Sequence, residues 1–143
     1  MDKKKRLQSL SNVPLFKGVN DRSMKAIANR LLERQYLAGT RIIEQGLQGF
    51  GLFIVVSGKA EVKFEGADGN STVVNTLTAG DFFGEMALLD DGPRSASVYA
   101  VEDTVCLILN RIEFIAIMLK DPALGVLIAT ELAKRLRRSL ESK

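Results

Sequence analysis

Residues Lys59-Ala60-Glu61-Val62-Lys63-Phe64-Glu65 alternate charged and apolar side chains without a fault. Successive side chains of a strand point to opposite faces, so this period of two leaves one face wet and offers Ala60, Val62 and Phe64 to a core. Ala67-Asp68-Gly69-Asn70 follows with turn chemistry, and Ser71 to Leu77 reads as the returning strand of a hairpin. A chain that commits to such a hairpin must bury one side of an antiparallel sheet.

The strand signals recur at short intervals from Arg41 to Leu109. Ser95 to Val101 and Thr104 to Leu109 make a second pair around Glu102-Asp103. Val105 to Leu109 is apolar on both faces, which makes Cys106 a packed small side chain rather than a reactive thiol. Helical patterns bracket this region. Asn20 or Asp21 caps a run through Ser23, Met24, Ile27 and Leu31. Asn110 with Glu113 three positions on predicts a capping box for a helix over Ile112 to Leu119. Asp121, with Pro122 at the first helical position, starts another to about Ser139, striped by Leu124, Leu127, Ile128, Leu132, Leu136 and Leu140. Residues 1–10 are expected to be a poorly ordered basic tail. The predicted fold is α+β: an eight-stranded, jelly-roll-like antiparallel β-roll flanked by an N-terminal helix and two C-terminal helices.

Chemistry concentrates between Gly80 and Val98. Gly84 and Glu85 open a short helical run over Met86 to Leu89, where unpaired backbone N–H groups suit an anion. A turn at Asp90 to Pro93 leads to Arg94, whose planar fork can grip two phosphate oxygens. Glu85 beside a phosphate should repel it, unless it faces a hydroxyl donor such as a ribose 2′-OH. One phosphate and one free sugar hydroxyl describe a cyclic nucleotide. Taken alone, Arg94 reads first as a surface arginine paired with Asp90 or Asp91, and Glu85 equally as an ordinary first-turn acid.

Phe83-Gly84-Glu85-Met86-Ala87-Leu88 and Pro93-Arg94-Ser95-Ala96-Ser97, with Arg94 nine residues after Glu85, closely resemble the phosphate-binding cassette of cyclic nucleotide-binding domains, as found in bacterial channels and regulators. Pro14-Leu15-Phe16 looks like the family's entry to its first helix, Gly46, Gly49, Gly51 and Gly58 like its early turns, and Asp121-Pro122 like the start of its last helix, so the similarity extends over nearly the whole chain. The resemblance implies a single domain over residues 1–143, with residues 121–143 as a C-terminal lid. It implies that Glu85 and Arg94 hold the ligand with backbone N–H groups around Gly84, Met86, Ala87 and Ala96. Ser95 touches the phosphate or reads a guanine amino group; cyclic AMP is favoured over cyclic GMP. Val62 resembles a base-contacting position, with core packing an equal reading. Arg135 or Leu136 resembles the residue that closes over the base.

Composition narrows the alternatives. The chain holds 143 residues and no histidine, which removes Ser-His-Asp and Cys-His centres and histidine metal sites. No Gly-x4-Gly-Lys-Ser/Thr loop occurs, arguing against a nucleoside triphosphate. A single cysteine forms no internal disulfide, and no apolar stretch approaches the ~18 residues of a membrane span. The expectation is a cytoplasmic receptor module that is not an enzyme, needs no cofactor or metal beyond its nucleotide ligand, and signals to a protein effector by moving its C-terminal helices. A ligand-free interaction domain of the same fold is the alternative. A DNA-binding regulator ranks lower, because the sequence leaves no room for a helix-turn-helix before Lys143. Self-association through the leucines of the last helix stays open.

Overall fold

The computed structural model describes residues 1–142. Helices α1 (Lys3–Ser11) and α2 (Asp21–Ala28), with a 3₁₀ turn at Pro14–Phe16 between them, precede eight strands. These are β1 (Leu32–Tyr36), β2 (Arg41–Ile43), β3 (Gly51–Ser57), β4 (Lys59–Glu65), β5 (Ser71–Thr78), β6 (Phe82–Phe83), β7 (Ser97–Ala100) and β8 (Thr104–Asn110). A second 3₁₀ turn, Glu85–Leu88, lies between β6 and β7, and α3 (Arg111–Lys120) and α4 (Pro122–Glu141) close the chain. The last residue of the expected lid, Lys143, lies outside the described residues.

Two four-stranded antiparallel sheets form the roll, in the orders β1-β8-β3-β6 and β2-β7-β4-β5. Their facing sides trap Phe53, Val55, Ala60, Leu77, Phe83, Val98, Cys106 and Ile108. Alternate residues of β3 and β8 (Leu52, Ile54, Leu107, Leu109) turn the other way and meet Leu10, Phe16, Ile27, Phe114, Leu124 and Ile128 from the helices. Strands covered on both faces must be apolar throughout, which is why Val105 to Leu109 lacks alternation. Cys106 is fully buried in this double core, and burial pushes its thiol pKa up to about 12.

Five local expectations need correction. Residues 1–10 are no loose tail: Asp2 caps α1, Leu10 is buried, and Arg6 Nη1 donates to the carbonyl of Leu31 at 2.6 Å. Strands begin at Leu32, before Arg41, in a segment whose side chains are nearly all exposed and so carry no apolar period. Asn110 caps α3 through the N–H of Ile112, but Glu113 pairs with Arg30 instead of completing a box. Asp121 occupies the N-cap position of α4, yet its carboxylate accepts from the hydroxyl of Ser23. On β4 the face expected to be buried opens progressively: Ala60 is buried, Val62 half-buried, and Phe64 is 49% exposed.

Candidate functional site

Gly84 precedes the 3₁₀ turn in the left-handed region at φ 79°, a conformation open to glycine because it lacks a Cβ. Its second role is to leave space. A Cβ at Gly84 would collide with Nη1 of Arg94, and one at Gly49 would stand 2.8 Å from its Nε. The two glycines thus form a slot in which the Arg94 side chain lies back against the backbone. Nη2 donates to the carbonyl of Gly51 at 2.9 Å, and the guanidinium rests 5.8 Å from the ring centroid of Phe53, itself stacked on Phe83 at 4.9 Å. The core between the sheets therefore supports the arginine from below.

Arg94 pairs with neither Asp90 nor Asp91, and makes no ion pair among the described residues. Burial lowers its pKa, but a guanidinium stays charged. A half-buried cation with one carbonyl partner has donors left for an anion.

Arg94 and Glu85 line one hollow of about 260 Å³, together with Val62, Met86, Ser95 and Ala96. Gly84 and Ala87 also border it, although the Ala87 N–H is committed to the carbonyl of Gly84 at 3.0 Å. Met86 is exposed at its edge. Beside this hollow the β4–β5 register shifts between Val62 and Lys63, where Val74 of β5 is the extra residue. A larger hollow of about 450 Å³ lies between α2 and α3, but there Arg30 is tied to Glu113 and Asp121 to Ser23.

The two carboxylate oxygens of Glu85 differ. Oε1 accepts from Nη1 of Arg135 at 2.5 Å, whereas Oε2 is buried without a partner. Arg135 stands on the face of α4 that docks through Leu124, Ile128 and Leu132. Its Nε lies 3.7 Å from Glu131, which Arg138 approaches at 3.6 Å. Leu136, one residue on, is 63% exposed and does not border the hollow. The helix stripe read from sequence is thus split, with Leu127, Leu136 and Leu140 left facing outward. Sequence reasoning missed the slot role of Gly49, which a turn glycine does not advertise, and the ion pair across fifty residues.

A family-wide sequence profile of the cyclic nucleotide-binding domain matches residues 33–121. The chain belongs to the cyclic nucleotide-binding domain family. Within that family it is 37% identical over 126 residues to a cyclic AMP receptor protein of Thermus thermophilus, a match covering 88% of this chain and 58% of that protein. A cGMP-dependent protein kinase of Eimeria tenella is 36% identical over 104 residues, 73% of this chain and 10% of the kinase. The crystal structure of Thermus thermophilus catabolite activator protein superposes with a TM-score of 0.73 at 36% identity, over 91% of this chain and 61% of that one. The chain thus spans little more than half of the bacterial relative's length. The profile covers the roll, the cassette and α3; α1, α2 and α4 lie outside it.

No described helix is long and apolar enough to cross a membrane, and no group of three potential metal ligands occurs among the described residues.

Proposed function

We propose that this chain is a receptor module for a 3′,5′-cyclic nucleotide, with cyclic AMP favoured over cyclic GMP, and that it is a switch rather than an enzyme. The observation that carries the reading is the shared hollow, lined both by a guanidinium without an ion pair among the described residues and by Glu85, whose Oε2 has no partner. The cyclic phosphate sits against Arg94, in a charge-assisted pair, and the ribose hydroxyl donates to Oε2 of Glu85. Val62 and Ala96 offer apolar wall to the purine. The lean to cyclic AMP rests on Ser95, compatible with either base, and on the longer match to the bacterial cyclic AMP receptor protein.

Signalling follows from Glu85 serving two masters. With Oε1 held by Arg135 of α4 and Oε2 by the ligand, nucleotide and lid meet on one carboxylate. A ligand moves such an equilibrium only by its preference for one lid arrangement. The exposed Leu136 and Leu140 offer a cytoplasmic effector, or a second copy of the chain, a surface on which to read the lid. Duplex DNA fits this helix less well, since Arg135 and Arg138 turn to Glu85 and Glu131.

Calorimetric titration with cyclic AMP and cyclic GMP is the test. Binding of either, removed by Arg94→Ala, is the expected result. Folded protein that binds neither would return the chain to the reading as an interaction domain.

A further inference from the structure

Two irregular segments meet at Arg94: residues 46–50 before β3, which give its slot the Gly49 wall, and residues 90–94 after the second 3₁₀ turn, which carry it. Backbone bonds stitch them together, from Gly49 N–H to Gly92 O at 3.3 Å, from Arg94 N–H to Leu47 O at 2.8 Å, and from Gly46 N–H to Arg94 O at 2.8 Å. The slot is tight, so small displacements of either segment move the guanidinium.

Arg111, the first residue of α3, reaches over both. Its backbone N–H donates to Phe50 O at 2.7 Å. Its Nη1 donates to Asp90 O at 3.1 Å and, more weakly, to Gly49 O at 3.4 Å. It forms no ion pair among the described residues, so its donors serve backbone carbonyls alone. Both bonds leave the one Nη1, at the far end of the arginine side chain, where its N–H groups meet carbonyls on separate segments.

We propose that Arg111 is a positioning residue for the anion site. It clamps the loop that walls the slot at Gly49 to the loop that carries Arg94, and thereby sets where Arg94 stands. Because it opens α3, it also ties that placement to the helix pair that carries the lid. The inference rests on the nucleotide-binding reading for its functional meaning, though its structural content is independent of it.

The test follows the Nε–H resonance of Arg94 in nitrogen-15 spectra of the ligand-free protein, assigned by its disappearance in Arg94→Lys. In Arg111→Ala that resonance shifts or broadens. Arg111→Lys keeps the charge on a shorter side chain that falls short of both carbonyls and moves it as well, which separates geometry from charge; it also serves if Arg111→Ala does not fold. Cyclic AMP affinity falls about ten-fold in Arg111→Ala, the scale of losing a charged hydrogen bond. An Arg94 resonance unmoved in both variants overturns the proposal, as does affinity within roughly two-fold of the parent. Parent protein that binds neither nucleotide would sink the receptor reading instead, while the resonance would still decide the clamp.

Discussion

Arg135 of the last helix and Glu85 of the cassette stand fifty residues apart in the chain and 2.5 Å apart in space. Both side chains are largely buried, at 25% and 21% exposure, and the remaining oxygen of Glu85 has no partner. A carboxylate in that position is stabilised by a nearby guanidinium, and removing one partner leaves the other charge uncompensated. Under the proposed receptor function, the anchor of the lid and the acceptor of the ligand are therefore one group.

Arg135→Ala should release the end of α4. Leu124 and Ile128 still hold its first half, so the loss is local. Hydrogen exchange should accelerate from about residue 133 onward, with the amides of residues 122–130 little changed. The cost to folding is about 1–2 kcal/mol, from an orphaned Glu85. Nucleotide affinity should fall, since Glu85 loses the contact that orients it. Unchanged exchange at the end of α4 would mean the ion pair does not hold the lid.

Gly84→Ala combines two penalties. The φ of 79° strains any Cβ by roughly 1–2 kcal/mol, and here the Cβ also meets the Arg94 guanidinium. Gly69→Ala supplies the control, because Gly69 has a φ of 83° but open space around it. Both variants should melt lower; only Gly84→Ala should lose nucleotide binding. Equal affinities in a titration would show that the slot does not matter.

Arg94→Lys preserves the charge but not the fork, nor the plane that lies against Phe53. Affinity for a cyclic nucleotide should drop by roughly ten- to one-hundred-fold, corresponding to about 1.5–3 kcal/mol of charged hydrogen bonding. Thermal stability should change little, because the half-buried guanidinium makes one hydrogen bond and no ion pair in the protein itself.

Cys106 predicts an alkaline signature. Its thiol has a pKa raised from 9.0 to about 12 in the folded protein. Above pH ~9 the unfolded chain releases this proton and the folded one keeps it, so stability declines as pH rises, by up to about 1.4 kcal/mol per unit from this group. The contribution is intact below pH 9 and lost progressively toward 12. Denaturant midpoints of the parent and Cys106→Val should therefore converge, or cross, across that window. Parallel pH profiles would contradict a thiol held neutral by burial.

Legibility in the sequence followed the range of the forces involved. The β4–β5 hairpin, the two-faced β8, the capping of α2 by Asn20 and the start of α3 at Asn110 were all readable, because each depends on residues a few positions apart. Strand β1 was not, because Leu32–Tyr36 gains its place by hydrogen bonding to β8 and not by burying a face. Helix α1 was hidden for a related reason: four basic residues in a row, Lys3 to Arg6, suggest a solvated tail, and the partners of Arg6, the carbonyls of Ala28 and Leu31, lie more than twenty positions away. Of the candidate site, the Glu85–Arg94 spacing was visible, as one local loop carries both. Which residue of α4 meets that loop was left between Arg135 and Leu136, whose side chains point about 100° apart on a helix.

By itself, then, the sequence determined the types and order of most elements, α1 and β1 excepted, the loop that brings an acid and an arginine together, and the absence of histidine chemistry. Those follow from periodicity, capping and composition, which act within a few residues. Only the tertiary structure decided that Gly49 and Gly84 make a slot for Arg94, that Arg111 joins the two loops that meet there, and that Arg135 claims one oxygen of Glu85. These are contacts between residues ten to sixty-two positions apart. They depend on how two sheets and four helices pack, a matter that no window of neighbouring residues encodes.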